Sequence, residues 1–114
     1  MLKKENRLQK NKQFNYIYKH GEAKHSQYLS LVYTKTKNTF KVGFSVSKKV
    51  GKSVVRNKVK RRLRECFKSY ISSLDKHFNY VFIAKPTIVE LDFEKLKKEV
   101  YYVLKKANKL NDNN

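Results

Sequence analysis

The chain has 114 residues, 39% of them hydrophobic, and carries 28 Lys and Arg against 9 Asp and Glu, a formal charge of +19 at pH 7. That length supports one domain with a modest core and is too short for two. The charge goes far beyond what solubility requires and points to a nucleic-acid partner; an anionic membrane is the weaker reading, because no apolar run approaches ~20 residues and the aromatic side chains are spread along the chain.

In chain order, residues 1–10 carry Lys3, Lys4, Arg7 and Lys10 without periodicity and read as a basic arm ordered only against its partner. Met1 is followed by Leu2, Lys3, Lys4 and Glu5 with no apolar h-region, so the expected location is the cytoplasm. A first helix is expected over 12–20, with Asn11 as N-cap and Gly21 as the C′ residue. Phe14, Ile17 and Tyr18 share one of its faces, either as core or, for the two rings, as a stacking surface for unpaired bases. A strand over 28–33, a polar turn over 34–39 and a second strand over 40–47 follow. In that second strand Phe40, Val42, Phe44 and Val46 point to a core. Lys41, Gly43, Ser45 and Ser47 make a small, polar, cationic face that suits a phosphate backbone, a base or plain solvent.

The stretch 45–70 joins this strand to a helix with two incompatible faces. With Val59 as origin and 100° per residue, Val55, Leu63, Cys66, Phe67 and Tyr70 fall within about 80° of it, an apolar stripe of core width. Asn57, Lys60, Arg61, Arg64 and Lys68 fall opposite, and Glu65 is the one acid of the stretch, so like charges repel along the helix unless a polyanion compensates them. Lys48, Lys49 and Lys52 stand near the helix N-terminus, where the helix dipole favours phosphate, and Ser53 is the expected N-cap. Cys66, alone and on the apolar face, reads as a small buried hydrophobe.

A strand over 80–85, apolar on both faces, precedes Pro86 and a loop. Asp92 caps a last helix whose core stripe is Phe93, Leu96, Val100, Val103, Leu104 and Ala107, and 108–114 is a polar, flexible tail. The whole of 1–114 is therefore one α+β domain, an α-β-β-α-β-α two-layer sandwich with a βαβ crossover through the central helix. General chirality rules make such a crossover right-handed when its strands are parallel.

Catalytic groups of the chain's own are not expected. Its acids are Glu5, Glu22, Glu65, Asp75, Glu90, Asp92, Glu94, Glu99 and Asp112, with none between 23 and 64, so no converging carboxylates suit a two-metal nuclease. His20, His25 and His77 lack catalytic or ligand spacing, one cysteine without a His pair excludes zinc, and Gly21, Gly43 and Gly51 make no phosphate loop, so the catalytic and metal residues expected are none.

The segment FKVGFSVSKKVGKSVVRNKVKRRLRE, residues 40–65, closely resembles the signature region of the bacterial ribonuclease P protein family, an RNR-type basic helix after a V-G-x-S-V-S-K-K strand. Arg7-Leu8, Asn11, Phe14, the Lys19-His20-Gly21 turn, the strand before Pro86 and the last helix are similar as well, so the resemblance covers about residues 5–107. It implies the protein subunit of a ribonucleoprotein endonuclease that removes the 5′ leader of precursor tRNA, with Mg²⁺ held mainly by a catalytic RNA subunit and the substrate. That RNA and the leader would be its partners, with no membrane and no protein partner required. It also implies a left-handed βαβ crossover, against the default, in a fold similar to the second domain of a small-subunit ribosomal protein.

The resemblance assigns the RNA-subunit contacts to Arg56, Asn57, Lys60, Arg61 and Arg64; Lys48, Lys49 and Lys52 by the helix dipole, and Lys58 and Lys68 by their charge on the same helix, complete the expected RNA-subunit and phosphate contacts. It assigns a cleft for the single-stranded leader to Phe14 and Tyr18, with Lys41, Ser45 and Ser47 along its floor. Two departures stand out: Leu31 occupies the place of a cleft tyrosine, which Tyr28 or Tyr33 replaces only in the right register, and Lys58 stands where a second arginine is usual, losing a bidentate fork. A structural RNA-binding module of ribosomal type shares the charge and the missing catalytic groups and is the alternative function.

Overall fold

The computed structural model describes residues 2–111. Helix α1 (Asn11–His20) is followed by strands β1 (Glu22–His25), β2 (Leu29–Lys35) and β3 (Val42–Ser45), helix α2 (Ser53–Lys68), strand β4 (Phe78–Ala84) and helix α3 (Phe93–Lys106). The strands form one sheet in the order β1-β2-β4-β3, in which β4 runs antiparallel to β2 and parallel to β3. Thus β3, α2 and β4 make the expected βαβ unit in an α+β fold. Strand β1 was not expected: its residues EAKH are mostly exposed and lack alternation, so pairing with β2, rather than burial, defines it. Strand β2 continues to Lys35 through the first residues of the expected turn, because Thr34 and Lys35 pair with Asn79 and Phe78.

Sheet burial explains the layering. Tyr80, Phe82 and Ala84 of β4, with Leu29, Leu31 and Tyr33 of β2, join Val59, Leu63, Cys66 and Phe67 of α2 and Leu96, Val100, Val103 and Leu104 of α3 in the main core. Alternate residues Val81 and Val32 face the other way and meet Ile17 of α1 and Leu8. The Phe67 ring stands 5.6 Å from Phe82 and 6.2 Å from Phe44, edge-on to both, and tilted against Phe40 and Tyr80. Of the expected α3 stripe, Phe93, the first residue of the helix, is the exception at 39% exposed.

Residues 2–10, expected as an arm, instead close the free edge of the sheet. Leu2 lies in the main core and Leu8 in the smaller one, so the segment passes from one face to the other around β3. Asn6 Nδ2 donates to the Phe40 carbonyl at 2.8 Å, Leu8 N to the Val42 carbonyl at 3.0 Å, and Arg7 bridges to Val42 in parallel. The edge is thereby paired and shielded. At the other terminus Asn108 adopts φ 59°, Leu110 is buried and bridges to Leu74, and Asn111 N donates to Ser73, so 108–111 are held; 112–114 lie outside the described residues.

Helix ends also depart from expectation. Lys10 and Lys52, not Asn11 and Ser53, occupy the N-cap positions of α1 and α2; Gln13 Oε1 serves α1 by accepting from Gln9 N at 3.0 Å and Lys10 N at 3.2 Å. Asp92 caps α3 as expected, accepting from Lys95 N at 2.8 Å. Gly21 has φ −86°, so it is needed for room and not for a left-handed turn: a Cβ there would stand 2.7 Å from the Tyr33 carbonyl oxygen. Since Phe67 touches rings from both parallel strands, Phe67→Ala should lower unfolding free energy by about 3–5 kcal/mol, read from the urea midpoint of the full chain.

Candidate nucleic-acid interface

Helix α1 lies across the sheet on Ile17, whose side chain meets Val32 and Val81. Phe14 fits over Gly43, where the ring fills the space a Cβ would take. The Phe14 and Tyr18 rings, one turn apart, are 6.4 Å between centroids and line one flank of α1. There a cleft of about 350 Å³ is walled by Phe14 and Tyr18 on one side and by Phe44, Ser45, Val46 and Lys60 on the other. It continues into a second hollow, where Phe14 and Gly43 face Arg7, Lys60 and Arg64. Lys60 therefore belongs to both the cationic face of α2 and the cleft. No carboxylate lines either hollow.

Of the expected cleft residues, Phe14, Tyr18 and Ser45 come together. Lys41 does not: it lies on the opposite flank of α1 with Lys12 and Tyr16, and its Nζ donates to the Glu5 carbonyl at 3.0 Å. Ser47 is exposed beyond the end of β3 and outside the cleft lining. The register also settles the tyrosine question. Leu31 and Tyr33 point into the main core and Tyr28 packs against it, so none of the three faces the cleft. The residues of β2 on the cleft side are Ser30 and Val32; Ser30 pairs with Ile83, and Ile83 with Ser45, in a row across the sheet. Ser30 Oγ lies 2.7 Å from His25 Nδ1, a cross-strand bond that ties the edge strand β1 down.

On α2 the apolar and cationic faces separate as expected: Val59, Leu63, Cys66 and Phe67 are buried, and Tyr70 is partly buried with its hydroxyl donating to the Lys97 carbonyl at 3.0 Å. Val55 lies half-open at 37%. Asn57 and Arg61 are exposed, whereas Lys60 and Arg64 are partly covered by the cleft. Arg56 Nε donates to the Gly51 carbonyl at 3.1 Å, which ties the guanidinium to the loop before the helix and leaves its other donors free. Lys48 and Lys49 are exposed on a turn anchored by buried Val50, beside the α2 N-terminus, which has no side-chain cap. Lys58 diverges: it shares the far flank of α2 with Arg62, Val55 and Val89. Lys68 pairs with Glu65 at 3.3 Å on the helix's last turn. Sequence reasoning missed Arg7, Asn11, Asn15 and Phe44 at the cleft; only Asn11 and Asn15, on the same helix flank as Phe14 and Tyr18, carried a periodic signal.

A sequence model of the family Ribonuclease P matches residues 2–108. The ribonuclease P protein component of Clostridium botulinum is 42% identical over 109 residues, covering 91% of this chain and 96% of the relative. That of Caldanaerobacter subterraneus is 38% identical, covering 94% and 93%. Among solved structures, a mutant of the Staphylococcus aureus RNase P protein with defective mRNA degradation activity superposes with a TM-score of 0.88 at 32% identity, over 94% of this chain and 92% of the other. The Thermotoga maritima RNase P protein does so with a TM-score of 0.80 at 28% identity, over 88% and 96%.

Groups with reactive chemistry lie away from the cleft. Burial raises the Cys66 thiol to about 11, and burial likewise raises Tyr80, whose hydroxyl donates to the Asp75 carbonyl. Burial would raise Asp75 as well, but hydrogen bonds from the His77 backbone and ring outweigh it and hold this carboxyl low. Among the described residues no group of three or more His, Cys, Asp and Glu side chains is placed to hold a metal ion. With the thiol raised from 9.0 to about 11, native Cys66 holds about a hundredfold less thiolate near pH 8. Iodoacetamide should therefore alkylate it at least that much more slowly in the folded chain than in urea, as followed by intact mass.

Proposed function

The chain belongs to the ribonuclease P protein family, and from that membership we propose that it is the protein subunit of a ribonucleoprotein endonuclease that removes the 5′ leader of precursor tRNA. The observation that carries this reading is the position of Lys60, which lines both the aromatic cleft and the adjoining hollow that holds Arg64, so that the cationic face of α2 runs on into the cleft. One surface can then meet a folded RNA while the adjoining hollow takes a single strand.

Arg56, Asn57, Lys60, Arg61 and Arg64 contact phosphates of the RNA subunit, with Lys48, Lys49 and Lys52 gathered at the α2 N-terminus, where uncapped N–H groups favour anions. Lys58 and Lys68 add charge from the flanks. Leader nucleotides lie along the cleft, stacked on Phe14 and Tyr18, with Ser45 offering a hydroxyl from the floor and Lys60 neutralising phosphate. No carboxylate lines the cleft, and among the described residues no group of three or more His, Cys, Asp and Glu is placed to hold a metal ion, which supports leaving Mg²⁺ to the RNA and the substrate. Mg²⁺ bound by RNA and substrate phosphates would activate water and stabilise charge at the scissile phosphate. The part of this chain is to raise affinity for leader-bearing substrate and to hold it in register.

Cleavage of a precursor tRNA at low Mg²⁺ by this protein alone, by a bacterial ribonuclease P RNA alone and by the mixture tests the proposal. The mixture should cut faster than the RNA at the mature 5′ end, and protein alone should not cut. RNA binding without stimulation would favour a structural module of ribosomal type. Phe14→Ala should cost about 1–3 kcal/mol in affinity for leader-bearing substrate and little for mature tRNA; equal losses on both would make Phe14 core only. Arg61→Ala should reduce the slope of log affinity against log salt for the RNA subunit by roughly one.

A further inference from the structure

Helix α1 divides its face of the sheet into two open rows, and the cleft occupies only one. Beyond the other flank of the helix lies Asn79 of β4, whose Oδ1 accepts from Lys41 N. There a groove of about 310 Å³, within the size range of small-ligand sites, is lined by Lys12, Gln13, Tyr16, Asn38, Lys41 and Asn79 among others. The helix wheel requires this split. With Ile17 against the sheet, Phe14 and Tyr18 lie on one side of it and Gln13 and Tyr16 on the other.

The groove has a defined polarity. Gln13 Oε1 is taken by Gln9 N and Lys10 N, and Asn79 Oδ1 by Lys41 N at 2.8 Å. With both oxygens occupied, the NH₂ groups are the amide ends left to bond a ligand as donors, beside the cations Lys12 and Lys41, and no carboxylate lines the groove. Tyr16 is 58% exposed, and the His20 ring backs it at 4.5 Å between centroids. The matching ligand is anionic, rich in acceptors and flat in part. Phosphate and base carbonyls are acceptors, and a base is flat.

We propose that this groove is a second single-stranded RNA contact, taking one nucleotide with its phosphate between Lys12 and Lys41, its base against Tyr16 and its carbonyl edge on Gln13 and Asn79. The proposal rests on the RNA-binding part of the reading above and not on the cleft. It also gives Lys41 a place on RNA other than the cleft floor.

The test uses the full-length chain, ¹⁵N-labelled, titrated with uridine 5′-monophosphate, and a fluorescent uridine decamer followed by anisotropy. The side-chain NH₂ resonances of Gln13 and Asn79 should shift with the mononucleotide. Tyr16→Ala, which removes an exposed ring and should leave the circular dichroism unchanged, should weaken the decamer by about fivefold or more. Lys12→Gln and Lys41→Gln together should lower the salt slope by about 0.7, the value for one single-strand phosphate. Unmoved NH₂ resonances, or a Tyr16→Ala chain that binds the decamer like the native one, would overturn the proposal. The cleft reading fails on a different result, Phe14→Ala losing affinity equally for leader-bearing and mature tRNA.

Discussion

Strand β4 has to be buried on both faces, and the rest of the structure follows from that requirement. Its residues alternate between Tyr80, Phe82 and Ala84 on one side and Val81 and Ile83 on the other, with Asn79 at its start the one polar residue of the strand. It therefore sits inside the sheet, flanked by β2 and β3, and needs helices above and below. The two sides are met unequally. Helices α2 and α3 cover the face with the large rings, whereas α1, ten residues long, covers only part of the other. What α1 leaves open on its face is the sheet surface that floors the grooves on its two flanks.

Glycine and alternation turn this incomplete cover into shaped clefts. Gly43 lets Phe14 drop onto the sheet, so the ring becomes a cleft wall instead of standing off on a methyl group. The residues of β3 that face α1, Gly43 and Ser45, are small, while those facing α2, Val42 and Phe44, are large. One strand therefore anchors a core with one side and floors the cleft with the other. Because α2 follows β3 after a short turn, its register on Phe67 and Leu63 aims Lys60 and Arg64 at that same surface.

Period and composition made most of this legible before any coordinates. The stripes of α2 and α3, the double-sided β4 and the division of α2 into oily and cationic faces are local patterns, and a local pattern survives folding when burial agrees with it. What stayed hidden depends on long-range partners. Strand β1 has no pattern of its own and exists through pairing with β2; the segment 2–10 looks like a free basic arm until Leu2 and Leu8 find opposite faces of the sheet. The placing of Lys41 turned on where α1 crosses the sheet, which alternation along β3 does not encode. It shares its strand parity with Gly43 and Ser45, yet the helix passes between them and puts it in another groove.

Helix α2 stores part of the free energy that RNA would release. Its i,i+4 neighbours include Arg56 and Lys60, Lys58 and Arg62, Lys60 and Arg64, and Arg64 and Lys68, each pair repelling by about 0.2–0.5 kcal/mol, against the opposite-charge spacing of Arg61 and Glu65 and the contact of Lys68 with Glu65. Burial of Val59, Leu63 and Phe67, worth roughly 1.5–3 kcal/mol each, outweighs that repulsion, so the apolar face holds a helix that its charges oppose. Rigid packing on Phe67 then keeps the cations from spreading apart to relieve themselves. A polyanion bound along that face would remove the repulsion. On the proposed function, affinity for RNA and stability of the domain would be coupled through this one helix, whose buried face holds the charged one in place.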